Sequence, residues 1–299
     1  MQIHPDIPEL RDALRKLRAG SGLAMPRSVG FVPTMGALHM GHRSLVQAAR
    51  RHCDIVIASI FVNPTQFAPN EDFSRYPRPL EQDCQMLEAE GVDLVFTPTA
   101  DAMYPPGAST FVDVEGVSDR LDGASRPGHF RGVATVVAKL FHIAQPDFAF
   151  FGQKDAAQVA VLRKMVRDLD FLVEIIVCPT VREPDGLAMS SRNRYLSAEE
   201  RRQALALSRA LQAAQTQAAR GEHRAAALQE TMRATLQKEP ALRVDYVAVV
   251  DPDTLLPVDD VRAGALLAVA AYVGSTRLID NVLLAATTGN TGVPGKKKS

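Results

Sequence analysis

The feature that most limits the fold of this chain is an alternation of short apolar runs with helical patterns across residues 1–185. Residues 54–62 (DIVIASIFV) are nearly continuously apolar, as expected for a strand buried on both faces of a parallel sheet. Similar runs lie at 28–33, 92–97, 148–151 and 173–178, and residues 130–144 between two of them have helical spacing. The pattern predicts βαβ units and therefore an α/β fold with a doubly wound parallel sheet.

The pattern changes after Ser197, where two helices are predicted at 198–220 and 224–238. Strand-like runs follow at 244–250, 265–273 and 276–284, and the last two are predicted to form an antiparallel hairpin. We therefore expect a larger domain at 1–185 and a smaller α+β domain at 186–287. Residues 288–299, rich in Gly, Pro and Lys, are expected to form a disordered tail.

Composition excludes several classes of protein. Lys plus Arg equals Asp plus Glu at 34 each, so no basic excess is present to drive nucleic-acid binding by counterion release. The three cysteines are far apart and indicate neither a metal site nor a disulfide framework. Neither a secretory signal nor an apolar stretch of about 18 residues is visible, so we expect a soluble cytoplasmic protein.

The strongest motif is PTMGALHMGH at 33–42, between the first strand and its helix. Doubly wound folds bind phosphates at this position, and Gly36 and Gly41 would allow the backbone to approach a nucleotide closely. His39 and His42 can both point at one triphosphate, where imidazole N–H groups would stabilise the charge that develops at the α-phosphorus. The alternative is two surface histidines beside a tight turn.

Two further motifs carry groups suited to phosphates. In MSSRN at 189–193, Ser190, Ser191 and Arg192 suit a pyrophosphate leaving group, because arginine can donate a bidentate fork. In FGQKD at 151–155, Lys154 is a point charge for a phosphate, and Asp155 could cap the helix or hold a ribose hydroxyl. Each motif could also be only a polar loop before a helix.

Three amides, Asn63, Gln66 and Gln158, suit a small hydroxy acid because they donate and accept hydrogen bonds without added charge. For Asn63 a turn or cap role is an equal alternative.

Taken together, these motifs resemble the pantothenate synthetase (pantoate–β-alanine ligase) family over almost the whole chain. The stretches that carry the resemblance are PTMGALHMGH (33–42), SIFVNPTQF (59–67), YPR (76–78), GHFRGVATVVAKLF (128–141), FGQKD (151–155) and PTVREPDGLAMSSRNRYLS (179–197). The resemblance implies a Rossmann-like N-terminal domain that binds ATP and pantoate, a C-terminal lid domain, a homodimer and Mg-ATP as co-substrate. It implies pantoyl-adenylate formation with release of pyrophosphate, then attack by β-alanine to give pantothenate and AMP.

The resemblance also implies roles for individual residues. His42 is usually assigned as proton donor, His39, Lys154 and Arg192 assist catalysis, Gln66 binds pantoate and β-alanine, and Gln158 binds pantoate. The implied ATP site comprises Met35, Gly36, Ala37, Leu38, His39, Met40, Gly41, His42, Gly152, Gln153, Lys154, Asp155, Val181, Met189, Ser190, Ser191 and Arg192. For His42 we favour electrostatic stabilisation over proton donation, because a phosphoryl leaving group needs little protonation at neutral pH.

Two departures from the family pattern affect these expectations. Ala156 and Ala157 stand where the family often has Tyr and Gln, so a neighbouring contact could be lost. Of the acidic pair that would suit the metal, Asp83 is present beside Gln82; we expect Asp83 at a metal site, although Mg²⁺ held by the phosphates needs no dedicated ligands.

Three alternative functions remain: a His-x-Gly-His adenylyltransferase with a phosphate acceptor, a tRNA synthetase, and a non-catalytic nucleotide sensor. The neutral Gln66 and Gln158 disfavour a phosphate acceptor, and the lack of a basic anticodon-binding region disfavours a tRNA synthetase. A sensor is disfavoured because the catalytic groups are all present, namely His39, His42, Lys154 and Arg192.

Overall fold

The computed structural model describes residues 1–19, 26–69 and 71–287, so the predicted tail at 288–299 lies outside the described residues. The strands are β1 (Gln2–His4), β2 (Val29–Thr34), β3 (Ile55–Ile60), β4 (Leu94–Phe96), β5 (Phe148–Gly152), β6 (Glu174–Cys178), β7 (Leu242–Val250), β8 (Ala265–Val273) and β9 (Thr276–Leu284). The α-helices are α1 (Ile7–Ala19), α2 (Met40–His52), α3 (Leu80–Ala89), α4 (Ala100–Met103), α5 (Asp122–Ser125), α6 (His129–Ala144), α7 (Ala156–Asp168), α8 (Ala198–Ala219) and α9 (Ala225–Leu236).

The larger sheet has six strands in the order β1-β4-β3-β2-β5-β6, and every neighbouring pair is parallel. From β2 the chain moves outward through β3 to β4 and then returns to the other side of β2 as β5. The strand order therefore reverses between β2 and β5. The carboxyl ends of these two strands flank the crevice in which such sheets bind ligands.

Burial explains why the central strands have apolar sequences. Five of the six residues of β3 are buried, because helices cover both faces of the sheet. Helix α6 is also buried along most of its length and approaches the short 3₁₀ helix Pro64–Gln66 closely. A Cβ on Gly132 would lie 2.4 Å from the carbonyl oxygen of Thr65, so glycine permits this approach.

The C-terminal part consists of the antiparallel sheet β7-β8-β9 with α8 and α9 packed against it. The predicted hairpin is present, with Val273 paired to Thr276. The predicted α/β class with a smaller α+β region is thus confirmed, whereas the division near residue 185 stays a prediction. Val250, Leu255, Leu266 and Ala268 belong to the same apolar cluster as α6 and α7, so the two parts share a core.

Within the described ranges, no helix is long and apolar enough to cross a membrane.

Candidate active site

The two histidines of the 33–42 motif cap the N-terminus of α2. The backbone N–H of Gly41 donates to Nδ1 of His39 at 3.1 Å, and the backbone N–H of His39 donates to Nδ1 of His42 at 3.3 Å. Two N–H groups that the helix leaves unpaired are satisfied in this way. Because both Nδ1 atoms accept, the proton of each neutral ring lies on Nε2, which is the nitrogen free to donate to a ligand.

Both imidazoles are neutral at physiological pH. Burial and the charge of Lys154 lower the pKa of His39 to about 4. Burial and the neighbouring His39 ring, 4.2 Å away between centroids, lower the pKa of His42 to about 3. The pair therefore offers two N–H dipoles and not two positive charges.

Asp83 on α3 holds the loop that leads to these histidines. Its Oδ2 accepts from the N–H of Ala37 at 2.8 Å and its Oδ1 from the N–H of Leu38 at 2.7 Å. Gly36 and Ala37 have φ angles of 80° and 51°, so the loop adopts a left-handed conformation that it needs external contacts to keep. This geometry gives Asp83 a positioning role; the metal role predicted for it stays a prediction.

The FGQKD motif forms the turn from β5 into α7, and Lys154 and Asp155 form an ion pair at 3.1 Å. Burial opposes ionisation of Asp155, but Lys154 outweighs it and lowers the pKa of that carboxyl. The side chain of Asn281 on β9 holds the turn from the other side: Oδ1 accepts from Nε2 of Gln153 at 2.9 Å. Its Nδ2 donates to the carbonyls of Gln153 and Lys154 at 3.0 and 2.8 Å.

The MSSRN motif at 189–193 follows a short antiparallel loop, in which the N–H of Met189 donates to the carbonyl of Val181 at 3.0 Å. Ser190 caps the 3₁₀ helix Ser191–Tyr195 by accepting from the N–H of Arg192. The Nε–Nη2 fork of Arg192, predicted for pyrophosphate, instead binds both oxygens of Asp72 at 3.1 and 2.9 Å. The Nη1 side of the guanidinium is the part that Asp72 does not use.

Gln66 lies at the end of the 3₁₀ helix Pro64–Gln66, and Asn63 caps that helix. Asn63 is 1% exposed. Its Oδ1 accepts from Thr65 and from the hydroxyl of Tyr104, and its Nδ2 donates to Oε1 of Gln66 at 3.1 Å and to the carbonyl of Gly132 at 3.2 Å. Asn63 thus has the cap role that the sequence left open, and it orients Gln66.

A second support of Gln66 was not predicted from the sequence. Arg126 forms a fork on Glu71 at 2.5 and 2.6 Å and donates to Nε2 of His129 at 2.9 Å. Nδ1 of His129 therefore carries the proton and donates to the carbonyl of Gln66 at 2.9 Å. Burial and Arg126 lower the pKa of His129 to about 4.

Most of the predicted residues surround one cavity of about 240 Å³ at the β2–β5 crevice. Those that line it are Met35, His39, Gly41, His42, Asn63, Gln66, Gly152, Lys154, Asp155, Gln158, Val181, Met189, Ser190, Ser191 and Arg192. A larger cavity of about 420 Å³ between the two sheets shares Lys154, Asp155, Gln158 and Arg192 with it.

The remaining predicted residues do not line this cavity. Gly36, Ala37 and Leu38 form the loop held by Asp83, and Gln153 contacts Asn281. Met40 is 48% exposed at the start of α2.

The comparison with known proteins agrees with this arrangement. The family model described as pantoate-beta-alanine ligase matches residues 2–283. The chain belongs to the pantoate–β-alanine ligase family. It is 64% identical over 287 residues to the pantothenate synthetase of Acidobacterium capsulatum, covering 94% of this chain and 96% of the relative. It is 53% identical over 284 residues to that of Thermotoga neapolitana, covering 95% of this chain and all of the relative.

Solved structures of the family have the same fold. Pantothenate synthetase from Thermus thermophilus superposes with a TM-score of 0.88 at 50% identity, covering 94% of this chain and 99% of the other. The pantoate-beta-alanine ligase from Francisella tularensis, described as complexed with beta-gamma ATP and beta-alanine, gives a TM-score of 0.74 at 35% identity, covering 95% and 97%.

The supporting residues of this ligase-family site differ in how visible they were in the sequence. Arg126 and His129 lie in or beside the GHFRGV stretch, whose family resemblance could have drawn attention to them. Asn281 lies in an ordinary strand pattern, and no feature of the sequence separated it from its neighbours.

Proposed function

We propose that this chain condenses pantoate and β-alanine to pantothenate through a pantoyl-adenylate, consuming ATP and releasing pyrophosphate and AMP. The observation that carries the proposal is the composition of one cavity. It is lined both by groups suited to phosphates, with His39, His42 and Lys154 among them, and by the neutral amides of Gln66 and Gln158.

In the first half-reaction, a carboxylate oxygen of pantoate attacks the α-phosphorus of ATP, and the bond to the pyrophosphate oxygen breaks. Negative charge moves onto the phosphate oxygens during this step. The Nε2–H groups of His39 and His42 and the ammonium of Lys154 are fixed donors that stabilise this charge. In the ligand-free site, burial and the neighbouring His39 lower the pKa of His42 to about 3, which favours hydrogen bonding over transfer of an imidazolium proton.

In the second half-reaction, the neutral amine of β-alanine attacks the acyl carbon of the adenylate. The carbon–oxygen bond to the phosphate breaks, AMP leaves with the electron pair, and the amine loses a proton. Gln66, held by Asn63 and His129, orients the acyl group for this attack.

Mg²⁺ is part of the proposal as a companion of the nucleotide. In the described ranges, no group of three or more His, Cys, Asp or Glu side chains could hold a metal ion. Asp155 in the turn before α7 and Asp72 beside the 189–193 motif are paired with Lys154 and Arg192. Because these carboxylates are already engaged, the site fits a Mg²⁺ ion coordinated by phosphate oxygens and water. Such an ion would neutralise part of the phosphate charge.

Pyrophosphate release from ATP and Mg²⁺ with pantoate, before and after β-alanine is added, tests the proposal. We expect pyrophosphate with pantoate alone, followed by AMP and an amide product after β-alanine. Release only with a phosphorylated acceptor would instead favour the adenylyltransferase alternative, which the neutral Gln66 and Gln158 do not favour.

We also propose a homodimer, a lid role for the C-terminal sheet and a cytoplasmic location. The lid role is supported by the 420 Å³ cavity between the two sheets, and the location by three unpaired cysteines. Light scattering after size-exclusion chromatography tests the dimer: a mass near 32.4 kDa would contradict it, and twice that mass is expected.

A further inference from the structure

One residue of the C-terminal sheet contacts the turn Gln153–Asp155 between β5 and α7, which carries Lys154 and is called the lysine turn below. The side chain of Asn281 makes three hydrogen bonds of 2.8–3.0 Å to Gln153 and Lys154, and it is 4% exposed. An amide suits this place because it must accept from one group and donate to two carbonyls. An aspartate of the same size would face both carbonyls without a proton to donate.

Asp280, which precedes Asn281 on β9, contacts a second segment that borders the cavity. Asp280 binds the guanidinium of Arg182 through both oxygens, at 2.6 and 2.9 Å, and Arg182 directly follows Val181 of the cavity lining. Asp280 is 3% exposed, and its Oδ1 also accepts from the N–H of Asn281 at 2.8 Å. Two consecutive residues of one strand thus contact the turn that carries Lys154 and the segment at 181–182 that borders the cavity.

We propose that Asn281 is a positioning residue that sets the place of Lys154 for adenylate formation, with Asp280 doing the same for the segment that follows Val181. The inference rests on the proposed function, because it assigns Lys154 to the phosphates of ATP. It assigns to the C-terminal sheet the positioning of Lys154 through its backbone, in addition to covering the cavity.

The test uses the full chain with Asn281→Asp and measures ATP affinity by calorimetry without pantoate, and the single-turnover rate of pyrophosphate release over a range of pantoate concentrations. A displaced catalytic group costs on the order of 10- to 100-fold in rate. We expect a loss of about that size in the rate and a loss of at least about 10-fold in ATP affinity, with the pantoate concentration that gives half the maximal rate changed by less than about 2-fold. Gln237→Glu, the same amide-to-acid change at an exposed position, is the matched control and should have no effect.

A double-mutant cycle separates positioning from general damage. Because Asn281 acts through Lys154, Asn281→Asp should cost less than about 3-fold in ATP affinity when Lys154 is already alanine. Equal losses in the two backgrounds would overturn the inference. If Asn281→Asp does not fold, Gln153→Ala removes one of the three bonds and should show a smaller, equally non-additive loss.

The two readouts also separate this inference from the proposed function. Additive losses of ATP affinity in the cycle would overturn the role of Asn281 even if pantoate supports turnover. Failure of pantoate to support pyrophosphate release in the unaltered chain would overturn the proposed substrate, and the calorimetric cycle would still decide the role of Asn281.

Discussion

At the scale of single residues, the site is built from side chains that use one atom for the fold and another for the ligand. His39 and His42 use Nδ1 to cap α2 and keep Nε2–H for the cavity. Gln66 likewise has Oε1 engaged by Asn63. The motif positions were predictable from the sequence because they follow strands. The hydrogen bonds that hold these side chains in place were not predictable, because each depends on which residue the folded chain brings beside it.

The neutral state of His42 leads to a prediction for the pH dependence of adenylate formation. With a pKa of about 3, its ring stays unprotonated from pH 6 to pH 8, so its donor strength is constant. We expect the single-turnover rate of pyrophosphate release to vary by less than about 2-fold from this cause, and His42→Gln to lower it by about 10²- to 10³-fold at all these pH values. An approximately tenfold rise from pH 8 to pH 6.5 that disappears in His42→Gln would contradict this.

Asp83 carries a second prediction at this scale. Asp83→Asn replaces one acceptor by a donor, and a buried N–H of the 36–38 loop loses its partner, at a cost of about 1–3 kcal/mol. The KM for ATP should rise by about 10-fold. Glu81→Gln, on the exposed side of the same helix, is the control and should leave the KM unchanged. An unaltered KM in Asp83→Asn would argue against the loop-holding role.

At the scale of elements, α6 approaches the 3₁₀ helix Pro64–Gln66 closely, and residues of both elements line the cavity. The long, periodic elements of this region were predictable, and α6 was predicted to within about one residue at its ends. By contrast β1, α1, α4 and α5 were not predicted. Three of these have only three or four residues, so their hydrophobic patterns are too short to be distinctive.

Gly132→Ala tests the approach of these two elements. The added Cβ would lie 2.4 Å from the Thr65 carbonyl oxygen and 2.8 Å from Cα of Gln66, so the elements must separate. Overpacking of this kind costs about 1–3 kcal/mol, and we expect a lower melting temperature with a larger rise in the KM for pantoate than in that for ATP.

Gly128→Ala is the comparison variant for this experiment. Gly128 has a φ of 81° and open space around its Cβ position, so alanine strains the backbone without touching the 64–66 segment. It should lower stability without changing the KM for pantoate. The same change in KM from both variants would mean that α6 acts through its stability alone.

At the scale of the whole molecule, three half-buried imidazoles make stability depend on pH. The folded-state pKa values of His39, His42 and His129 are about 4, 3 and 4, below the unfolded value near 6.5. The unfolded chain therefore binds more protons below pH 6.5. Stability is complete above that pH and is lost as the pH falls towards 4, by up to about 1.4 kcal/mol per pH unit for each histidine.

Urea unfolding at pH 7.5 and at pH 5 measures this dependence. His129→Gln should reduce the difference in the free energy of unfolding between the two pH values, because one of the three neutral rings is removed. His223→Gln, in the loop before α9, is the control. An equal effect of both substitutions would contradict the assignment to His129.

The sequence predicted the two-part organisation, but it could not show how the parts are joined. The shared core at Val250, Leu255, Leu266 and Ala268 and the contacts of Asn281 bring together residues more than a hundred positions apart. No local periodicity or motif indicates these long-range contacts, because each of the side chains would also be compatible with an ordinary strand. The predicted residues therefore form about half of the cavity lining, and neither the apolar lining residues of α6 nor the supporting contacts were predicted.

The contact between Asn281 and the lysine turn has a consequence for the order in which the molecule becomes competent during synthesis. A ribosome adds the two histidines and Lys154 to the chain more than a hundred residues before it reaches position 281. Until β9 emerges and docks, the turn at Gln153 and Lys154 lacks its three hydrogen bonds to Asn281. Nascent chains that end before position 281 thus contain the residues of the phosphate motifs without the side chain that holds Lys154 in place.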